Sequence, residues 1–254
     1  MNNEHDRARR LAVLIDGDNV SPRILKGLFE EIASIGEASV RRIYGDFSGQ
    51  RLKGWAEVLS GYAIIPQQNF ATASGKNAAD IALVIDAMDL LHTGRFDAFC
   101  LVSSDSDFTR LAARIREQGV DVYGFGEGKT PESFRKACKR FVYTGNLLPQ
   151  AKSEAAPAFA AQPSGSVPTP PKQPPSAAVV HVRTALSQLD DSDGWYFLGA
   201  VGKRLVTLMP DFDPRTYGCP KLVTLVEKSA AFEVRRDDPK VYIRPVNGVA
   251  STSH

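Results

Sequence analysis

The chain has 254 residues, of which 43% are hydrophobic and 24% charged, a balance that excludes a collagen-like, coiled-coil or largely disordered protein. The formal net charge of +2 neither requires nor excludes a nucleic-acid partner. Evidence for such a partner must therefore come from local clusters of basic residues. No apolar run approaches the roughly 20 residues that span a membrane, and only about five apolar residues follow the basic N-terminal stretch, so we expect a cytoplasmic protein without membrane contact.

The N-terminal half alternates short apolar runs with segments of helical periodicity. The runs LAVLI, VRRIY, YAII, AFCLV, VDVYGF and FVY are predicted to be strands. Residues 21–35, 77–91 and 108–118 are predicted to be helices; Ser-Pro at residue 21 is typical of a helix start and Gly119 of a helix end. This alternation predicts an α/β fold with a parallel central sheet between helices.

The C-terminal half has a different organisation. A Pro, Ala and Ser-rich stretch that cannot bury enough apolar surface to fold precedes it and predicts a linker. VVHVRTALSQL, GAVGKRLVTLMP and CPKLVTLVEKS are predicted helices, and FEVRRDDPKVYIRPV is a predicted hairpin, which together indicate a small α+β, winged-helix-like domain. The predicted organisation is a tail, a first domain, a linker, a second domain and a tail, at residues 1–10, 11–149, 150–177, 178–247 and 248–254.

Carboxylates follow two of the predicted strands. Asp16 and Asp18 come after LAVLI, and Asp105 and Asp107 come after AFCLV. Asp80 lies in the first turn of the helix on the route between these strands. Because the carboxyl ends of parallel strands meet at one edge of a sheet, we expect Asp16, Asp80, Asp105 and Asp107 to converge there.

A divalent cation would stabilise such a cluster, because carboxylates held close together repel one another. Oxygen ligands suit Mg²⁺ or Mn²⁺ rather than zinc. The bound cation can activate water and stabilise charge on a phosphodiester, so phosphoryl chemistry is the favoured reaction class. Asn19 is suited to hold a metal-bound water or a phosphate oxygen. The alternative for each single acid is a helix cap or a first-turn acid; Asp86 and Asp89 are expected to be solvated.

Three segments resemble a known family. VLIDGDNV, GKNAADIALVIDAMDLL and LVSSDSDFTRLAARIREQGVDVYGFG are together similar to the NYN domain, the LabA-like branch of the PIN-like nuclease superfamily. The resemblance implies a PIN-like α/β/α sandwich and metal-dependent ribonuclease activity.

The resemblance also implies roles for the matching positions. Asp16 corresponds to the acid after the first strand, Asp80 to the helical acid, and Asp105 and Asp107 to an SDxDF pair, so these four are the expected catalytic and metal-binding residues. The supporting residues are the asparagine of the first turn, the serine that begins the turn of the pair, and an acid at a more variable position: Asn19, Ser104 and Asp18.

The segment WYFLGAVGKRLVTLMPDFDPRTYGCPKLVTLVEKSAAFEV resembles the OST-HTH or LOTUS domain. This resemblance implies RNA binding, including G-rich RNA, and in some animal members a helicase partner. Lys203, Arg204, Arg215 and Lys221 are the candidate phosphate contacts in this domain. Its aromatic and leucine residues at helical spacing are expected to form the core.

Basic and aromatic residues also lie near the predicted acidic edge. Arg51, Lys53 and Trp55 follow the second strand, and Lys76 precedes Asp80 by four residues. Lysine and arginine bind RNA phosphates and aromatic rings stack on bases, so these residues are predicted to contact single-stranded or structured RNA. Trp55 is equally suited to pack against the sheet.

The sequence therefore predicts a metal-dependent ribonuclease whose linker lets a C-terminal RNA-binding module raise the local concentration of RNA. A different class of alternative is a noncatalytic RNA-binding adaptor. A third reading is a phosphatase of the haloacid-dehalogenase type, in which the strand-end aspartate is the nucleophile.

Overall fold

The computed structural model describes residues 7–70, 77–148 and 172–246. The chain divides into two compact units, Met1–Pro170 and Pro171–His254. The strands of the first unit are β1 (Arg10–Asp16), β2 (Glu37–Gly45), β3 (Ile65–Gln68), β4 (Ala98–Val102), β5 (Asp121–Gly126) and β6 (Arg140–Tyr143). Its helices are α1 (Leu25–Ala33), α2 (Lys53–Ala56), α3 (Ala78–His92), α4 (Phe108–Glu117) and α5 (Glu132–Ala137).

The six strands form one sheet in the order β3-β2-β1-β4-β5-β6, and every neighbouring pair is parallel. The chain runs outward from β1 to β3 and then returns to place β4 beside β1. The strand order therefore reverses between β1 and β4, and in open parallel sheets ligands bind outside the carboxyl ends of the strands at such a point. The predicted α/β class with a parallel central sheet is confirmed.

Hydrophobic layers cover both faces of the sheet. On one face Leu11, Val13 and Ile15 of β1 pack in a cluster with residues of α1. On the other face Ala12 and Leu14 pack in a cluster with residues of α3 and α4. Successive side chains of a strand point to opposite faces, so the apolar run of β1 is buried on both sides. The strand that carries the first acid is thus held rigidly at the centre of the unit.

The local signals for helices were accurate. The side chain of Ser21 accepts a hydrogen bond from the Arg23 backbone N–H at 3.4 Å, and a 3-10 turn over Pro22–Ile24 leads into α1. Gly119 follows α4 with φ of +79°. The third strand was misplaced: a 3-10 turn ends at Tyr62 and Ala63 adopts φ of +51°, so the strand begins only at Ile65, at the end of the predicted run YAII.

Two predicted boundaries differ by one to three residues from the first secondary structure that follows them. Arg9 and Arg10 were assigned to the N-terminal tail, but Arg10 starts β1 and the Arg9 guanidinium donates to the Tyr123 hydroxyl at 2.9 Å. The predicted linker extends to residue 177, yet Pro175–Ala178 forms a 3-10 turn in the second unit with Ala178 buried. Residues 150–171 of that linker lie outside the described residues.

The second unit contains α6 (Val179–Leu186), β7 (Tyr196–Phe197), α7 (Leu198–Leu208), α8 (Leu222–Ser229), β8 (Phe232–Asp237) and β9 (Lys240–Pro245). The three helices and the hairpin of β8 and β9 confirm the small α+β prediction. The short β7 was not predicted; it joins the hairpin to give an antiparallel sheet in the order β7-β9-β8. Phe212, Tyr217 and Leu225 are buried in the core as predicted.

None of the helices in the described residues has the length and apolar character that a membrane crossing requires.

A polar network joins α3 to β2 inside the first unit. Asp86 pairs with the Arg42 guanidinium and accepts a hydrogen bond from the Tyr44 hydroxyl. The side chains of Arg42 and Asp86 are only 28% and 22% exposed. The prediction that Asp86 is a solvated face residue is therefore wrong, whereas Asp89 on the same helix is exposed as expected.

We predict that Asp86→Ala lowers the unfolding temperature and Asp89→Ala does not. Removing Asp86 leaves a half-buried guanidinium and a buried tyrosine hydroxyl without their partner, a loss of about 1–3 kcal/mol. A loss of that size lowers the unfolding temperature by roughly 5 °C in a unit of this length. Thermal unfolding followed by circular dichroism measures both variants, and equal shifts in the two would contradict the structural role of the network.

Candidate active site at the ends of strands β1 and β4

Asp16 is the last residue of β1 and is only 1% exposed. Its Oδ2 accepts hydrogen bonds from Asn19 Nδ2 at 2.8 Å and from Ser103 Oγ at 2.7 Å. Its Oδ1 is buried and has no hydrogen-bond partner within the part of the chain that the structure describes. Burial raises the pKa of Asp16, and the bonds from Ser103 and Asn19 oppose that shift. A buried carboxylate oxygen that accepts no hydrogen bond raises the free energy of the folded state. A cation bound to Oδ1 would remove that cost.

Ser103 connects the acid of β1 to the loop after β4. While its Oγ donates to Asp16, it also accepts a hydrogen bond from the Asp105 backbone N–H at 3.0 Å. Asp105 Oδ1 in turn accepts from the Asp107 backbone N–H at 2.9 Å, and α4 begins at the next residue. The turn that carries Asp105 and Asp107 is thus tied directly to the buried carboxylate.

Neighbouring serines have different functions in this turn. Ser104, the predicted turn residue, is 9% exposed and its Oγ accepts a hydrogen bond from the Glu127 backbone N–H at 2.8 Å, which fixes the turn to the end of β5. Ser103 was not predicted as a site residue. The available signal was its position in LVSSDSDF, directly after the strand that pairs with β1.

The turn after β1 requires close backbone contact. A Cβ at Gly17 would lie 2.9 Å from the Tyr44 carbonyl oxygen, which accepts the Gly17 N–H at 2.9 Å, so this position needs glycine. Trp55 is 2% exposed and its Nε1 donates to the Val20 carbonyl at 2.9 Å. The predicted RNA contact at Trp55 is wrong, because its ring packs in the core and its N–H holds this turn.

The remaining acids share one electrostatic environment. Asp80 lies in the first turn of α3, and its pKa is raised to about 6. Burial is the largest cause of that shift, followed by the negative charges of Asp16, Asp105, Asp107 and Asp18. The structure therefore brings the predicted acids near enough together to disfavour ionisation of Asp80.

The side chains of these acids do not surround one metal-ion position. Among the described residues, no three His, Cys, Asp or Glu side chains are grouped so that they could hold one metal ion. The four acids therefore do not all meet at one ion with these side-chain positions, and their role as metal-binding residues stays a prediction. Mg²⁺ commonly keeps several waters and takes only one or two carboxylates directly, and the unpartnered Oδ1 of Asp16 fits that mode of binding. The site thus fits a hydrated Mg²⁺ or Mn²⁺.

Two of the predicted basic residues lie beside this edge of the first unit. Arg51 is 70% exposed at its side chain, and its Nη2 donates to the Asp18 carbonyl at 3.0 Å. Lys53 is exposed at the start of α2. Both positions are compatible with contact to an RNA phosphate. Lys76 lies outside the described residues.

The predicted basic residues of the second unit differ in availability. Lys203 and Lys221 are exposed, and Arg204 is half-buried. The Arg215 guanidinium is held by Asp213, with Nη2 2.6 Å from Oδ2 and Nε 3.0 Å from Oδ1. This pairing disfavours the predicted phosphate contact at Arg215, because the guanidinium already neutralises a buried carboxylate.

Comparison with known families supports the same interpretation. The model of the NYN domain matches residues 10–148. The chain belongs to the NYN domain family. NYN domains are part of the PIN-like nuclease superfamily, which supports nuclease activity in general. The model of the OST-HTH/LOTUS domain matches residues 173–244, so the predicted order of an NYN domain and a LOTUS domain is confirmed, and the pair supports an RNA-related nuclease or binder.

Two solved structures resemble the chain. A protein of unknown function from Vibrio parahaemolyticus is 20% identical, with 55% of this chain and 95% of that chain covered and a TM-score of 0.47. An uncharacterized protein from Nitrosomonas europaea is 29% identical, with 41% of this chain and 100% of that chain covered and a TM-score of 0.25. Among proteins with curated descriptions, none matches the chain.

We predict that Asp80→Asn stabilises the metal-free protein at pH 8 but not at pH 4. A carboxyl group whose pKa is raised to about 6 favours the folded state when protonated, and this contribution is lost as the pH rises through that value. Because Asp80 is partly exposed to solvent, we expect a gain of only about 1 kcal/mol, or roughly 3 °C in unfolding temperature.

Asp89→Asn, an exposed position on the same helix, is the matched control and should change little at either pH. Thermal unfolding in EDTA at both pH values measures the difference. A gain for Asp80→Asn that is the same at pH 4 and pH 8 would show that the acid cluster does not cause it.

Proposed function

We propose that this protein is a metal-dependent ribonuclease that hydrolyses phosphodiester bonds at the site formed by Asp16, Asp80, Asp105 and Asp107. The observation that carries the proposal is the buried Oδ1 of Asp16, which has no partner within the described residues and lies at the reversal point of the sheet in an NYN domain. Mg²⁺ or Mn²⁺ is the cofactor that these oxygens suit. The second unit, which matches a LOTUS domain, binds the RNA.

The residues of the site have different roles in binding the cofactor. Asn19 and Ser103 bind Oδ2 of Asp16 and so leave Oδ1 for the cation. Asp80, Asp105 and Asp107 would add negative charge around a cation held there. When bound, the divalent cation supplies an activated water and stabilises the charge that develops on the phosphodiester.

The same charges make RNA binding at this site depend on the cation. An RNA phosphate is an anion, and the acids near Asp80 repel it in the same way as they raise the pKa of Asp80. Arg51 and Lys53 lie beside this edge and attract the phosphates on either side of the scissile bond. The acids therefore weaken RNA binding in the absence of metal. The basic residues position the RNA when metal is bound.

Two rival functions make different use of the same residues. A phosphatase with Asp16 as nucleophile needs that carboxylate to attack a substrate phosphorus, but Asp16 is only 1% exposed and one of its oxygens is held by two donors. The adaptor hypothesis is favoured by one observation, which is that no three candidate ligands are grouped among the described residues. An adaptor would bind RNA without cutting it.

We predict that the purified protein cleaves end-labelled single-stranded and G-rich RNA in Mg²⁺ or Mn²⁺ but not in EDTA, and that Asp16→Asn does not cleave. The amide of asparagine keeps the size of the side chain but cannot supply the anionic oxygen that a cation needs. Gel analysis of the labelled products measures cleavage.

Asp97→Asn is the matched control. Asp97 accepts a hydrogen bond from the Arg10 backbone N–H at 2.6 Å at the opposite end of β4, so this variant should cleave like the wild type. RNA binding without cleavage in any divalent metal would establish the adaptor instead. Release of phosphate from small phosphomonoesters through an aspartyl-phosphate would favour the phosphatase.

We also predict that removing residues 152–254 weakens RNA capture but preserves cleavage at saturating RNA. A tethered binding unit raises the local concentration of RNA without changing the chemistry. The KM for RNA should therefore rise while kcat stays within about twofold of the full chain. Loss of metal-dependent cleavage at saturating RNA, in a truncated protein that remains folded by circular dichroism, would contradict this division of labour.

A further inference from the structure

The sheet of the second unit has two chemically different faces. Ile243 of β9 is fully buried and Val234 of β8 packs against the same core. Their neighbours lie on the other face, where Phe197, Tyr242 and Arg235 occupy one row across the three strands. Because side chains alternate along a strand, this row points away from the core. We call this surface the outer face.

Aromatic rings and guanidinium groups stack on the outer face. The Arg235 Cζ lies 4.7 Å from the ring centroid of Trp195 and 5.0 Å from that of Tyr242. The Arg244 Cζ lies 4.7 Å from the ring centroid of Trp195. The rings of Phe197 and Tyr242 have centroids 5.9 Å apart. Three aromatic rings and two guanidinium groups therefore form one continuous layer.

This layer remains open to solvent. Phe197 is 44% exposed, and the side chains of Arg235 and Arg244 are 44% and 43% exposed. In the described part of the unit, Trp195, Phe197 and Tyr242 lie outside the hydrophobic core and its packed periphery. Three aromatic residues on the solvent face of so small a sheet are unusual, because such a face is ordinarily polar.

We propose that the outer face, formed by Trp195, Phe197, Tyr242, Arg235 and Arg244, binds the unpaired bases of single-stranded RNA by stacking. This inference rests on the proposed action on RNA and names the surface of the second unit that holds it. Aromatic rings and guanidinium planes are the groups on which unstacked bases lie. Guanidinium groups already held against aromatic rings lose little freedom when a base stacks on them.

The ion pairs of the outer face favour RNA binding by base stacking over binding by contacts to phosphates alone. Arg235 Nε lies 3.0 Å from Asp237 Oδ2, and Arg244 pairs with Glu233. These acids largely neutralise the two arginines, so few counterions are released when RNA binds there. The affinity of the outer face should therefore depend on salt much less than contacts at Lys203 and Lys221 would.

The tryptophan fluorescence of the chain can report RNA binding at the outer face. It contains two tryptophans, and Trp55 is 2% exposed, so a base that stacks at the outer face acts on the emission of Trp195. We expect unstructured single-stranded RNA, titrated into the full-length protein in EDTA to prevent cleavage, to quench the tryptophan emission. Trp195→Phe should lose this quenching. A duplex of the same sequence should bind more weakly, because paired bases cannot stack on a protein ring.

Two variants test the stacking without removing the tryptophan. Phe197→Ala removes an exposed ring, and Arg235→Lys keeps the charge but removes the planar guanidinium. Each should weaken RNA binding by about tenfold. Arg236→Lys is the matched control, because Arg236 is the next residue of β8 and pairs with Glu227 instead. Thermal unfolding confirms that all three variants are folded.

The outcomes separate this inference from the proposed function. If the wild type binds and cleaves RNA, but Phe197→Ala and Arg235→Lys bind it as tightly as Arg236→Lys and the emission is not quenched, the outer face does not hold RNA and the ribonuclease proposal stands. If the wild type neither binds nor cleaves RNA, both proposals fail. Quenching together with selective loss of affinity in the two variants supports the stacking site.

Discussion

The hydrogen bond from Ser103 Oγ to Asp16 Oδ2 is the contact on which the site depends. It joins the ends of two neighbouring parallel strands at the point where the strand order reverses, and the same hydroxyl accepts the N–H of Asp105. One oxygen of the buried carboxylate is thereby satisfied, and the other has no partner within the described residues. In the proposed metal site, this asymmetry rather than a ring of ligands would decide where the cation binds.

The site is destabilising in isolation, and the rest of the first unit compensates for it. Burial and neighbouring negative charges raise the pKa of Asp80 to about 6, so ionising Asp80 at neutral pH opposes folding. The acids are nevertheless held together because β1 is buried on both faces and because Trp55 and Gly17 fix the turn that follows it. Such opposition between stability and a charged site is common where function requires the charge, and a bound divalent cation would relieve it.

The sequence was sufficient for features that depend on local pattern. Apolar runs placed the buried strands, and the rule that parallel strands present their carboxyl ends at one edge brought Asp16 and Asp105 together. Features that depend on side-chain direction were missed. The string SSDSD shows that Ser103 comes directly after the strand, but it does not show which of the serine hydroxyls meets Asp16, because the conformation of the turn decides that. Likewise, the partner of Asp86 is decided by how α3 packs on β2, which periodicity does not specify.

In the function that we propose, the two units hold RNA by different physical means, and this difference has a consequence for how each acts on RNA. The acidic edge of the first unit would repel RNA until a cation neutralises it, whereas the outer face of the second unit would bind RNA through rings and through arginines whose charges are already balanced by acids. The affinity of the outer face for RNA would therefore be largely independent of the metal that the proposed cleavage site requires. RNA could then be captured before metal binds and retained after cleavage, so in this proposal the LOTUS unit sets the residence time of RNA and the NYN unit carries out the chemistry.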